Sequence, residues 1–225
     1  MAGSVNATSA AAPESTPQEQ AGGRARYYAA VAQRPPNDAL LEALRRFDVD
    51  PAPDGSRLAV DLGSGQGRDV MELLRRGWRV LAIDAAPEAI ELLHANPALT
   101  HRERLETQVA SFLHATWPPP DLLNASFSLP FCPAEHFPTV WQRIVDSLPP
   151  GARFSGTLFG DHDDWARPGG HSRTFGPSVH HTRAEAEALL ASFSVEWLDE
   201  RNLDTTTAVG TPKHWHAYHI VARKQ

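Results

Sequence analysis

Val60-Asp61-Leu62-Gly63-Ser64-Gly65-Gln66-Gly67-Arg68-Asp69, followed by Trp78-Arg79-Val80-Leu81-Ala82-Ile83-Asp84, is the stretch that decides the fold. It reads as an apolar strand, a glycine turn, a helix, and a second apolar strand that ends on an acid. Glycines permit positive φ and let a ligand approach the backbone where a Cβ would collide. Asp84 lies 21 residues after Gly63, the distance at which a carboxylate closing the second strand of a βαβ unit accepts hydrogen bonds from ribose hydroxyls. The layout therefore predicts a nucleoside-binding βαβ unit. A dinucleotide fingerprint needs a third glycine where this chain has Arg68. The pattern here is Asp-x-Gly-x-Gly-x-Gly, with Asp61 ending the strand.

Working outward, apolar and punctuating residues predict a continued strand–helix alternation. Arg26 to Ala32 is a short helical segment that stops before Pro35-Pro36, and Asn37 or Asp38 caps a second helix through Leu40, Leu41, Leu44 and Phe47. Strands are expected at 57–62, 78–83, 105–110, 121–127 and 153–159. Helices are expected through Val70 and Leu74 with Gly77 as its C′ residue, from Pro87, over 137–148, and over 183–191 behind the capping box Thr182-Arg183-Ala184-Glu185. Residues 193–198 and 214–222 read as a closing strand pair. Such alternation predicts a parallel sheet covered on both faces. In that architecture ligands bind beyond the carboxyl ends of the strands, which gathers 61–67, Asp84-Ala85, Ser111-Phe112, 124–129 and 159–165 into one candidate site.

The Asp-x-Gly-x-Gly-x-Gly pattern resembles motif I of the class I S-adenosylmethionine-dependent methyltransferases. Gly67-Arg68-Asp69, with a Leu-Leu-Arg-Arg-Gly-Trp helix end, is similar to the small bacterial tellurite-resistance and thiopurine types. The resemblance covers about 24–223 and is strongest at 57–95 and 121–148. It implies an α/β fold, a Rossmann-like three-layer α/β/α sandwich with a seven-stranded, mostly parallel sheet whose last strand is antiparallel. It also implies S-adenosyl-L-methionine as cofactor, held by Tyr28, Asp61, Gly63, Ser64, Gly65, Asp84, Ala85, Ser111, Phe112, Asn124 and Ala125. Gly63 and Gly65 then lie against the amino-acid part, Asp84 holds the ribose, and Ser111 and Phe112 flank the adenine, with Ser111 where many members have an acid. The implied activity is in-line methyl transfer to an oxygen, nitrogen, sulfur or carbon nucleophile of a small molecule. The rival readings are a non-catalytic sensor of the cofactor and an NAD-dependent oxidoreductase, the latter disfavoured by Arg68.

If the acceptor must lose a proton, His162, Asp164 and His181 are the first candidates for a general base. The segment 161–181 is long, rich in Gly, Pro, His and Arg, and expected to form the acceptor pocket or its lid. Asp161-His162-Asp163-Asp164 and His214-Trp215-His216-Ala217-Tyr218-His219 both suggest metal ligation. Neither has a defined ligand spacing, and on a strand His214 and His216 share one face while His219 points to the other. No metal is expected.

A formal net charge of -6, without a Lys/Arg run, speaks against a nucleic-acid surface. Most of the basic charge is arginine, which with many alanines and prolines suggests a high-GC bacterial genome. A lone cysteine, Cys132, excludes an internal disulfide and fits a cytoplasmic location. No apolar run reaches membrane-spanning length and no signal peptide is evident. Residues 1–23 read as a disordered leader, and 24–225 as a single domain, monomeric or homodimeric.

Overall fold

The computed structural model describes residues 17–50 and 56–225. Helix α1 (Pro17–Val31) and helix α2 (Asp38–Phe47) precede the sheet. Then follow β1 (Leu58–Leu62), α3 (Arg68–Arg75), β2 (Arg79–Asp84), α4 (Pro87–Ala95), β3 (Leu105–Val109) and β4 (Leu122–Ala125). The remainder comprises α5 (Phe137–Ser147), β5 (Arg153–Gly160), a two-residue β6 (His180–His181), α6 (Arg183–Leu189), β7 (Phe193–Thr206) and β8 (Pro212–Lys224). The main sheet order is β3-β2-β1-β4-β5-β8-β7, with β6 pairing β5 off this path. β8 runs antiparallel to both its neighbours, β5 and β7, as expected of the last strand.

Period-two alternation divides the core between the two faces of the sheet. Ala59, Val80, Ala82, Leu122 and Val221 pack with Leu40, Leu44, Leu73 and Leu74 from α2 and α3. Their strand neighbours Val60, Leu81, Ile83, Leu123 and Ile220 face α5 and α6, meeting Val140, Trp141, Ile144 and Ala186. The α3 terminus follows the sequence reading: Gly77 N–H donates to Leu74 O at 2.9 Å and Trp78 N–H to Leu73 O at 3.1 Å, a Schellman closure. The capping box at Thr182 and Glu185 is also formed.

Four expectations need correction. The leader expected at 1–23 lies outside the described residues for 1–16, but α1 already covers 17–23. The same helix runs on to Val31, and beyond residue 23 Arg24 pairs Glu88 at 2.6 Å and Tyr28 and Val31 are buried, which docks it on the domain. The strand expected over 121–127 ends at Ala125, because Ser126 to Ser128 turn across the sheet end. The closing strands are far longer than expected. Beyond Leu198 the β7–β8 ladder continues in register from Asp199↔His219 to Thr206↔Pro212, above the edge of the core. Asn37 also departs from its expected capping role. Its side chain makes no cap bond; instead its N–H and Nδ2 donate to the Asp69 carboxylate, each at 2.9 Å.

Candidate functional site

Two adjoining cavities lie over the carboxyl ends of the parallel strands. The first, about 470 Å³, is lined by the β1–α3 glycine turn, Asp84 to Glu88, Ala110 to Phe112, Ser126 to Ser128, and Tyr27 and Tyr28 of α1. The second, about 610 Å³, lies between the 171–175 segment and the β7–β8 extension. Tyr27, Val31, Asn37, Arg68, Phe127, Phe131 and Phe175 line both.

The floor of the first cavity is polar and tightly ordered. Asp61, 2% exposed at the end of β1, accepts a hydrogen bond from Asn124 Nδ2 at 2.8 Å; the same amide nitrogen donates to Asp69 Oδ2 at 3.0 Å. Asn124 Oδ1 accepts from Ser155 Oγ at 2.7 Å and Ser126 Oγ at 3.1 Å, which fixes the amide's orientation. The other Asp61 oxygen, Oδ2, is buried without a partner, and so is Ser64 Oγ. Burial first, and the nearby Asp69 charge second, push the Asp61 carboxyl well above the ordinary carboxylate value. A buried acid with an unpartnered oxygen beside a cavity is a vacancy for a donor.

Asp84 closes β2 at the opposite side of the glycine turn. Its Oδ2 accepts from Gly65 N–H at 2.8 Å and its Oδ1 from Ala86 N–H at 2.9 Å. Each oxygen keeps further acceptor capacity. Burial raises its pKa, against the lowering effect of those backbone donors. The turn itself requires glycine for two different reasons. Gly67 has φ +85°, and a Cβ there would lie 2.3 Å from Leu93 Cδ1. Gly65 has φ +54°, but its Cβ would find only Tyr28 Cε1, at 3.7 Å. Gly67 is held by packing and Gly65 leaves room in the cavity.

Tyr28, Asp61, Gly63, Ser64, Gly65, Asp84, Ala85, Ser111 and Phe112 all line the first cavity. Ser111 Oγ is paired with His114 Nδ1 at 2.9 Å. Asn124 and Ala125 do not line it; both are fully buried, and Asn124 acts from beneath by holding Asp61 and Asp69. Ser126, Phe127 and Ser128 line the cavity in their place. Phe127 adopts φ +55°, a left-handed conformation costing a non-glycine residue roughly 1–2 kcal/mol. It sets the ring between the two cavities, 5.4 Å from the His219 ring and 6.0 Å from that of Trp215.

His162, Asp164 and His181 are not among the residues lining either cavity. For His162 and Asp164 the reason is Asp163, fully buried, which accepts hydrogen bonds from Lys213 Nζ and from the Trp165 and His216 N–H groups. That anchor turns Trp165 inward and leaves its neighbours outside. His162 is exposed, with its ring stacked on His216 at 4.9 Å. Asp164 accepts from His214 N–H at 2.7 Å and pairs Arg167 at 3.0 Å. His181 packs on Phe137 at 4.9 Å, beneath the sheet end, and burial lowers its pKa. Asp161, His162 and His216 bring one ligand atom each within 4.8 Å of one another. Both His216 nitrogens are engaged, Nδ1 with His162 N–H at 3.1 Å and Nε2 with Glu200 at 3.0 Å.

His219 and His171 both border the second cavity, His219 from β8. On β8 the odd positions Trp215, Ala217 and His219 face it, while His214 and His216 face away. His219 Nδ1 lies 3.3 Å from Thr157 Oγ1, and burial depresses its pKa to about 4. Asp69, Phe127 and His219 are site-forming residues that sequence reasoning did not single out. Asp69 had one available signal, an acid in the first turn of the helix after the glycine loop.

Residues 59–151 match the family model described as a methyltransferase domain. A search of curated proteins finds no match. Among solved structures, the chain is similar to TehB from Haemophilus influenzae (TM-score 0.63, 17% identity, covering 82% of this chain and 62% of TehB). It thus spans less than two thirds of that protein. A second likeness is to the Burkholderia thailandensis 1,6-didemethyltoxoflavin-N1-methyltransferase with bound 1,6-didemethyltoxoflavin and S-adenosylhomocysteine (TM-score 0.59, 20% identity, 96% and 93% covered). A third is to magnesium protoporphyrin IX methyltransferase from Synechocystis PCC 6803 with bound SAM (TM-score 0.63, 11% identity, 96% and 100% covered). Residues 59–151 thus match a methyltransferase domain, and the fold is the one these solved structures share. Among the described residues no helix is long and apolar enough to cross a membrane.

Proposed function

We propose that the first cavity holds S-adenosylmethionine and the second a small-molecule acceptor, which is methylated by in-line displacement. The observation that carries this reading is the pair of adjoining cavities, one with unpartnered buried acceptors and the other aromatic, divided by Phe127. When bound, S-adenosylmethionine supplies an electrophilic sulfonium methyl and leaves as a neutral thioether. The residues present fit such a molecule. Asp61 Oδ2 and Ser64 Oγ offer partners to its amino-acid end. Asp84 offers the remaining acceptor capacity of a carboxylate to two ribose hydroxyls, and Ser111 and Phe112 border the place for the base.

Because the leaving group is neutral, this chain's main contributions are alignment and exclusion of water. Tyr27, Tyr28 and Phe175 roof the donor cavity, with Tyr27 and Phe175 edge-to-face at 4.9 Å. His219, neutral at physiological pH, takes the proton that an O–H or N–H acceptor loses. Its Nε2 is the free nitrogen, since Nδ1 faces Thr157. The test is calorimetric titration with S-adenosylhomocysteine and with NAD, followed by radiolabelled methyl transfer into a metabolite extract. Binding of S-adenosylhomocysteine that Asp84→Ala weakens by more than about tenfold, with label in a small molecule, is expected. Stabilisation by NAD alone, or tight binding with no acceptor in any extract, overturns the reading.

A further inference from the structure

The charge and the aromatic lining of the second cavity together narrow its ligand. Four arginines border it and no aspartate or glutamate does, although the chain carries a formal net charge of -6. Arg201 is already neutralised, by Asp199 at 2.7 Å and Asp38 at 2.6 Å. Arg68 reaches only Asp69, at 3.9 Å. Arg34 and Arg173 form no ion pair among the described residues. A solvated arginine is ordinary on a surface; two without a carboxylate partner among the described residues, on one acid-free cavity, set a local positive potential.

The walls between these cations are aromatic. Phe131 lies 5.0 Å from Phe175 and 6.0 Å from Trp165, Trp165 lies 5.3 Å from Trp215, and Trp215 lies 5.7 Å from Phe159. Behind them, the buried Lys213 ammonium sits 3.7 Å from the Trp215 ring and 4.3 Å from that of Trp165, which fixes both indoles. An aliphatic ligand gains area from such walls, but a flat one gains the ring–ring geometry as well. At about 610 Å³ the space suits two or three fused rings.

We propose, building on the methyl-transfer reading above, that the acceptor is a planar aromatic or heteroaromatic acid. Its ring lies among Phe131, Trp165, Phe175 and Trp215, and its carboxylate meets Arg34 and Arg173. The guanidinium fork suits a carboxylate, which it binds with two parallel hydrogen bonds. The nucleophilic O–H or N–H then faces His219 at the floor of the cavity.

The probe is 3-hydroxy-2-naphthoate, titrated into protein saturated with S-adenosylhomocysteine and followed by tryptophan fluorescence and calorimetry. Its methyl ester and a decalin carboxylate are the controls. The naphthoate is expected to bind at least about tenfold tighter than either control. The Arg34→Gln/Arg173→Gln pair is expected to bring acid and ester within about twofold, with S-adenosylhomocysteine affinity unchanged. Equal binding of acid and ester, or of naphthoate and decalin carboxylate, overturns the proposal. Loss of S-adenosylhomocysteine binding by the unmodified protein would instead overturn the methyl-transfer reading, so the two failures are distinguishable.

Discussion

Replacing Gly65 and Gly67 separately by alanine separates what the glycine turn does for folding from what it does for binding. At Gly67 the new Cβ lies 2.3 Å from Leu93 Cδ1 and 3.2 Å from its Cγ, while φ is +85°. Leu93 is fully buried among Val70, Leu73 and Val80, so it has little room to turn away. Left-handed strain of roughly 1–2 kcal/mol and overpacking of roughly 1–3 kcal/mol add to about 2–5 kcal/mol. For a chain of this length that lowers Tm by roughly 5–15 °C. At Gly65 only the strain applies, about 1–2 kcal/mol, because the nearest atom is Tyr28 Cε1 at 3.7 Å. That methyl instead occupies cavity space. Urea denaturation with parallel titration of S-adenosylhomocysteine reads both effects. Gly67→Ala should lose the greater stability and keep its Kd within about twofold, whereas Gly65→Ala should weaken binding more than about tenfold. The reverse pattern, or equal loss of stability in both, refutes the assignment.

Four further outcomes are expected. His219→Gln should lower kcat by about 10²–10⁴ for an O–H acceptor while leaving S-adenosylhomocysteine affinity intact, and an unchanged kcat removes the base assignment. Since the folded His219 pKa is about 4 against an ordinary 6.5, the unfolded chain binds more protons in that window. Stability therefore falls as pH drops from 6.5 to 4, and wild type should lose roughly 3 kcal/mol more than His219→Gln across it. Asp61→Asn should weaken S-adenosylhomocysteine binding yet stabilise the apoprotein at neutral pH. A carboxyl whose pKa is raised in the fold loses stability as pH climbs above its unfolded value, and the amide does not; a variant less stable at pH 7 contradicts this. Lys213→Met should cost roughly 3–5 kcal/mol in denaturant unfolding, since it leaves Asp163 buried without its cation, and a loss below about 1 kcal/mol would show that Asp163 is served by its N–H donors alone.

What the sequence conveyed depended on whether local signals and tertiary needs agreed. The glycine turn, Asp84, the Gly77 helix end and the Thr182 capping box are local devices whose spacing is their geometry, and the structure forms them as read. The β7–β8 extension is the opposite case. Asn202 to Thr207 is polar apart from an exposed Leu203, with no core-facing period, so Leu198 looked like the end of the strand; pairing with β8 and burial of Lys213 hold the rest in place. His219 was legible by strand parity as lying opposite His214 and His216, but which face met a cavity depended on that extension. His162 and Asp164 are adjacent in sequence to the strand end where ligands bind. One buried neighbour, Asp163, turned them outward, and an acid buried against a lysine 50 residues away leaves no local signal.

Phe127, Tyr27 and Phe175 stand in the walls of both cavities, so with donor and acceptor bound as proposed, the two ligands would share three rings through which each can alter the other's affinity. Whatever factor an occupied donor site contributes to acceptor affinity, an occupied acceptor site must return to donor affinity. Trimming Phe127 would therefore register first in the cross-dependence of the two dissociation constants rather than in either one measured alone.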